Sequence, residues 1–110
     1  DLVISGGFNV YPKEVEGEID ALPGILESAV IGVPHPDFGE GVTAVVVAAK
    51  TAKIDETVVM KALDGKLAKF KLPKRVIFVP DLPRNAMGKV MKAELRKTYQ
   101  DLYAPPARKA

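Results

Sequence analysis

The chain has 110 residues, 47% of them apolar and 27% charged, which fits one ordinary globular domain with a single modest core. It has no cysteine, which excludes disulfides and thiolate metal sites and fits a reducing, cytoplasmic location. A net charge of +2 gives no reason to propose a nucleic-acid partner, and the longest apolar run, residues 42–49, is too short to span a bilayer. The start, Asp1-Leu2-Val3-Ile4, has neither an initiator methionine nor the basic segment of a signal peptide, so the chain reads as a piece excised from a longer protein.

Residues 2–4 and 9–11 flank Gly6-Gly7, which predicts a short hairpin. Pro12 suits the first turn of a helix, because its missing N–H would be unpaired there anyway. Val15, Ile19 and Leu22 follow at spacings of four and three on one face, while Glu14, Glu16, Glu18 and Asp20 form the solvated remainder. Pro23-Gly24 ends that helix, and the β-branched residues 25–33 predict a strand. Residues 34–41 read as a loop by composition. Residues 42–49 predict a central strand, covered on both sides because both its faces are apolar.

Asp55 can cap a helix running to about Phe70, with Val59, Ala62, Leu63, Leu67 and Phe70 at helical spacing. Gly65 weakens it by about 1 kcal/mol. Lys71-Leu72-Pro73-Lys74 breaks the helix, residues 75–79 predict a third strand, residues 80–87 a turn-rich loop, and residues 92–103 a last helix. The tail 104–110, with Pro105-Pro106, is expected to be disordered. The expected fold class is α+β. It is a small two-layer sandwich whose sheet of about three strands is covered by helices, with an N-terminal hairpin and a C-terminal loop-helix, in one domain spanning 1–103.

Chemistry concentrates in Leu82-Pro83-Arg84-Asn85-Ala86-Met87-Gly88-Lys89, a loop between strand and helix. Glycine lets the backbone bend, and the lysine behind it is a mobile point charge suited to a phosphate or carboxylate. Most lysines in turns are only solvated surface residues. The loop is not a P-loop, because the glycine spacing is wrong and no Ser or Thr follows Lys89. A second cluster, Lys66, Lys69, Lys71, Lys74 and Arg75, is either a solvated helix end or an attractor of phosphates. His35, the only histidine and flanked by two prolines, is a turn residue and a poor metal ligand, and no metal site is expected.

Taken in order, Ser5-Gly6-Gly7-Phe8-Asn9-Val10-Tyr11-Pro12-Lys13-Glu14-Val15-Glu16, the Pro34 loop with Gly39-Glu40, Phe70-Lys71-Leu72-Pro73-Lys74 and Leu82-Pro83 through Gly88-Lys89 resemble one family. It is the acyl- and aryl-CoA synthetases with their adenylation-domain and luciferase relatives, and the chain resembles their small, mobile C-terminal domain almost throughout. The first segment resembles in particular the malonyl-CoA synthetase branch, which implies malonate or methylmalonate as the acid.

The resemblance implies two half-reactions. An acid and ATP, with magnesium, give an acyl-adenylate and diphosphate, and the thiol of CoA then displaces AMP. It also implies an N-terminal domain of the same enzyme that carries the acyl pocket, and a rotation of the small domain between the two steps. The family's catalytic lysine falls on Lys89, where it would bridge the α-phosphate and the carboxylate; a positioned ammonium offsets the repulsion of two anions.

Gly6 and Gly7 match the segment lining the pantetheine channel, and also suit a tight hairpin; both readings can hold. Phe38 matches an aromatic residue that some relatives place against the CoA adenine, or it anchors its loop to the core. Phe70 packs under the nucleotide or closes the core. Some relatives have an arginine on the nucleotide phosphate where this chain has Leu72, which leaves that contact to Lys71 or Lys74.

The resemblance further implies modification of Lys89 by a protein lysine acetyltransferase, reversed by a deacetylase, with Arg84, Lys92 and Arg96 able to steer an acidic partner surface. Two alternatives stay open. One is the corresponding subdomain of an adenylation domain that loads a carrier protein. The other, of a different class, is a recognition module for the acetyltransferase itself. The fragment alone is expected to be inactive.

Overall fold

The computed structural model describes residues 2–105; Asp1 and the last five residues of the expected tail lie outside them. The elements are β1 (Val3–Ser5), β2 (Phe8–Val10), α1 (Pro12–Asp20), β3 (Ile25–His35), β4 (Gly39–Ala48), α2 (Glu56–Leu63), a 3-10 turn (Lys69–Lys71), β5 (Arg75–Phe78) and α3 (Lys92–Thr98). The α+β class and the order of elements are as the sequence predicts.

Strand β4 organises the sheet. β3 runs antiparallel along one side of it, pairing from Ile25 with Ala48 to His35 with Gly39. On its other side β5 lies parallel, pairing Thr43–Val46 with Arg75–Phe78, and further along β1 is joined through Ser5 and Gly39. The three long strands form the expected three-stranded sheet. The β1–β2 hairpin extends it to five through that single bridge.

The alternation along β4 explains its two apolar faces. Val42, Ala44 and Val46 pack with Val15 and Ile19 of α1 and Val59 and Leu63 of α2. Val45 and Val47 pack on the opposite face with Ile31, Val33, Leu82 and Leu95 of α3. The helical cover is therefore split, with α1 and α2 on one face and α3 with its preceding loop on the other.

Three boundaries differ from the sequence reading. The loop expected at 34–41 narrows to a turn at 36–38, because β3 runs through His35 and β4 begins at Gly39. Pro34 is tolerated there because β3 is an edge strand. The turn is closed by His35, whose Nδ1 accepts from the backbone N–H of Asp37 at 3.1 Å and of Phe38 at 3.3 Å. Helix α2 stops at Leu63, not Phe70, because Asp64 turns to extended backbone; Leu67 still reaches the core by way of that turn. Helix α3 ends at Thr98, after which Tyr99 is non-helical.

Glu16 is also not simply a solvated helix residue. It is largely covered, accepts from the backbone N–H of Val30 at 2.8 Å and pairs with Lys92 at 2.9 Å.

Candidate functional site

The Lys89 loop is built from its own backbone. Buried Leu82 anchors its start in the second core. The N–H of Met91 donates to the carbonyl of Pro83 at 2.8 Å, and Arg84 and Val90 form a β-bridge. Inside this ring the N–H of Asn85 donates to the carbonyl of Lys89, and the N–H of Gly88 to the carbonyl of Asn85, both at 2.9 Å. The turn needs a residue at φ +83°, in the left-handed region, and Gly88 supplies it.

Two side chains complete the loop. Asn85 Oδ1 accepts from the backbone N–H of Met87 at 2.9 Å and of Lys89 at 3.0 Å. Arg84 donates to the carbonyl of Gly88 at 2.9 Å, and its other terminal nitrogen pairs with Glu27 of β3. That carboxylate raises the Arg84 pKa further above its ordinary value. Lys89 is left exposed, facing a groove of about 570 Å³ lined by Tyr11, Pro12, Lys13, Glu16, Val90 and Lys92.

A second, smaller cleft of about 130 Å³ lies among the β1–β2 hairpin, the β3–β4 turn and the segment after α2. It brings together four of the predicted residues, Gly6, Phe38, Phe70 and Lys74, beside Ser5, Phe8, Lys69 and Leu72. Lys74 Nζ stands 3.6 Å from the centroid of the Phe38 ring, a close cation–π contact. Phe38 itself is 41% exposed, so it does not anchor its turn in the core. Phe70 does not close the core either: its ring stacks on Phe8 at 4.8 Å, and Phe8 is 57% exposed.

Two predicted residues do not line this cleft. Gly7 sits at the tip of the hairpin turn. Lys71 points to α1 and pairs with Glu14 at 2.9 Å. Arg84 and Lys92, expected to steer a partner surface, each pair with a carboxylate of this chain, Glu27 and Glu16. Among the described residues no group of three or more His, Cys, Asp or Glu is placed to hold a metal ion.

Sequence reasoning misses Phe8, Asn85 and Glu27. Phe8 carries a usable signal, an aromatic residue two positions from buried Val10 on a short strand, hence on the same face but beyond the core's edge. Asn85 carries one as well, since Asn caps turns by accepting from N–H groups just ahead of it. Glu27 carries none, because its partner lies 57 residues away.

The sequence pattern of the family described as AMP-binding enzyme C-terminal domain matches residues 14–89. The chain is similar to the crystal structure of apo MatB from Rhodopseudomonas palustris, with a TM-score of 0.93 and 74% identity over 94% of this chain and 21% of that one. It is similar to the ATP-bound MatB structure from the same organism, with a TM-score of 0.92 and 73% identity over 94% of this chain and 20% of that one. Among curated proteins it is 46% identical over 99 residues to the long-chain-fatty-acid–CoA ligase FadD13 of Mycobacterium tuberculosis, covering 90% of this chain and 20% of that protein. The chain thus spans about a fifth of the length of these relatives.

Proposed function

The chain belongs to the AMP-binding enzyme C-terminal domains, and on that footing we propose that it is the catalytic-lysine domain of an ATP-dependent acyl-CoA synthetase, with Lys89 serving adenylation and the Gly6–Phe38–Phe70–Lys74 cleft serving CoA. In the first half-reaction a carboxylate oxygen attacks the α-phosphorus of ATP and diphosphate leaves. In the second the CoA sulfur attacks the acyl carbon, AMP leaves, and the thiol proton is given up. A dicarboxylic acid of the malonate or methylmalonate kind, turned over in the cytoplasm, fits the likeness of the N-terminal segment to the malonyl-CoA synthetase branch.

The observation that carries this reading is the separation of the two sites. Lys89 faces one groove, and four of the six residues assigned to CoA line another. An ammonium on a fixed loop offsets the repulsion between carboxylate and phosphate. The cleft's chemistry fits a nucleotide: ring faces at Phe38 and Phe70 for a base, cations at Lys69 and Lys74 for phosphates. Because Lys71 is held by Glu14, the phosphate contact falls to Lys74. Free CoA, not a carrier-protein arm, is the better occupant, since a tethered pantetheine brings no nucleotide to use these rings and cations.

The test is Lys89→Ala in the full-length enzyme, with the half-reactions assayed separately. Acyl-adenylate formation is expected to fall by about 10²–10³, the usual loss for a preorganised charge contact. Thioester formation from supplied acyl-adenylate should change far less. Equal losses would overturn the division of roles.

The same lysine is a candidate for reversible acetylation. It is exposed beside Gly88 on a loop, which gives a modifying enzyme access to its backbone as well as its amine. Acetylation would delete the charge that adenylation needs. Incubation of the full-length protein with a protein acetyltransferase and acetyl-CoA should label Lys89 first by mass spectrometry and abolish adenylation, with recovery on deacetylation. Label spread evenly over the lysines would remove this reading.

A further inference from the structure

Lys89 can serve adenylation only if its ammonium is delivered to one place, yet it stands at the exposed turn of a loop, where a lysine is ordinarily free to wander. We infer that Asn85 is the positioning residue of this site, its side-chain oxygen holding the Lys89 backbone in the conformation that chemistry requires. The inference rests on the reading of Lys89 as the adenylation lysine.

Four hydrogen bonds converge on Asn85. Its own N–H donates to the Lys89 carbonyl at 2.9 Å, its carbonyl accepts from the Gly88 N–H at 2.9 Å, and its Oδ1 accepts from the Met87 N–H at 2.9 Å and the Lys89 N–H at 3.0 Å. Lys89 is thus gripped at both backbone polar groups by one residue. Met87, between them, is 92% exposed, so its side chain supplies none of this order. Arg84 ties the outer side of the turn to Glu27 on β3, so the gripped turn is fixed to the sheet and not merely to itself. The backbone bonds do not depend on the side chain and survive replacement of Asn85 by Ala or Asp. The two Oδ1 bonds do not survive Ala, and one of them ends on Lys89 itself.

A side-chain amide oxygen that only accepts can be replaced by a carboxylate oxygen of the same reach. Asn85→Asp therefore keeps both bonds and Asn85→Ala removes both. A displacement of about 1 Å at a reacting group costs on the order of 10² in rate.

The experiment measures both half-reactions of the full-length enzyme as Asn85→Ala, Asn85→Asp and Lys89→Ala, with thermal unfolding of each. Asn85→Ala is expected to lower kcat of adenylation by about 10² with little change in the KM for ATP. It should leave thioester formation from supplied acyl-adenylate at its original rate. Asn85→Asp should recover most of the lost rate. Adenylation unchanged in Asn85→Ala while Lys89→Ala is inactive would overturn the positioning role alone. Adenylation unchanged in Lys89→Ala would overturn the reading beneath it. Equal losses in both half-reactions, or a loss that Asp fails to restore although the protein remains folded, would also overturn the inference, by making Asn85 a general structural residue or its amide nitrogen the needed group.

Discussion

Gly6 and Gly7 look equivalent in the sequence and differ in the fold. Both have left-handed backbone, at φ +59° and +84°, so any other residue is strained at either position. Only Gly6 is also crowded: an added Cβ would lie 2.9 Å from Cδ1 of Phe38, whereas the space beside Gly7 is open. The Gly6 N–H in turn donates to the carbonyl of Phe38 at 2.9 Å. Gly6 is therefore the floor on which Phe38 and the Lys74 stacked over it rest. Gly7→Ala should cost about 1–2 kcal/mol, the price of left-handed backbone alone. Gly6→Ala should cost more and should also weaken CoA binding by moving the Phe38 ring. Urea denaturation of the two full-length variants, with titration of CoA, checks this; equal stabilities would mean that the Phe38 ring yields without consequence.

Edge strands show what holds the elements together. β3 and β5 flank β4, and each presents outward N–H groups along its open side. A glutamate from a helix meets one on each: Glu16 of α1 accepts from Val30, and Glu56 of α2 accepts from Val76, both at 2.8 Å. The Val76 bond, with help from Arg75, lowers the Glu56 pKa below its ordinary value. A depressed carboxylate stabilises the fold above its unfolded pKa, about 4.3, and that contribution disappears as pH falls through the lower folded value. Glu56→Ala should therefore be less stable than the parent at neutral pH, with the gap closing below about pH 4. Unfolding curves of both from pH 3 to 7 decide it, and a constant gap would mean that packing, not charge, makes the difference.

The sandwich itself is legible in local patterns, because Val15 with Ile19 and the two-faced run at 42–47 declare helix and central strand by spacing alone. The glutamate struts are not, since a charged residue that meets a distant edge has the same local signature as one that meets water. The overlong prediction for α2 has a similar cause. Leu67 keeps helical spacing and is buried, but it reaches the core through a turn that ends the helix.

At the scale of the whole molecule, the core is covered and the Lys89 groove faces solvent. Apolar side chains cover both faces of the sheet, and the radius of gyration is 14.1 Å, close to the roughly 13 Å expected of a compact domain of this length. Lys89, by contrast, faces an open groove whose other described walls hold two lysines and one carboxylate, and that carboxylate is already engaged by Val30 and Lys92. Among the described residues these walls carry no group of three or more His, Cys, Asp or Glu that could hold a metal ion. The 110-residue chain is accordingly expected to unfold in a single cooperative transition on its own, and to release no diphosphate from ATP with malonate and magnesium. Calorimetry and a diphosphate assay on the purified chain check both halves. Cooperative unfolding without turnover would locate the missing part of the reaction in the remaining four-fifths of a relative-sized enzyme. Diphosphate release by the chain alone would instead mean that the Lys89 groove is a complete adenylation site, and the division of labour between two domains would have to be abandoned.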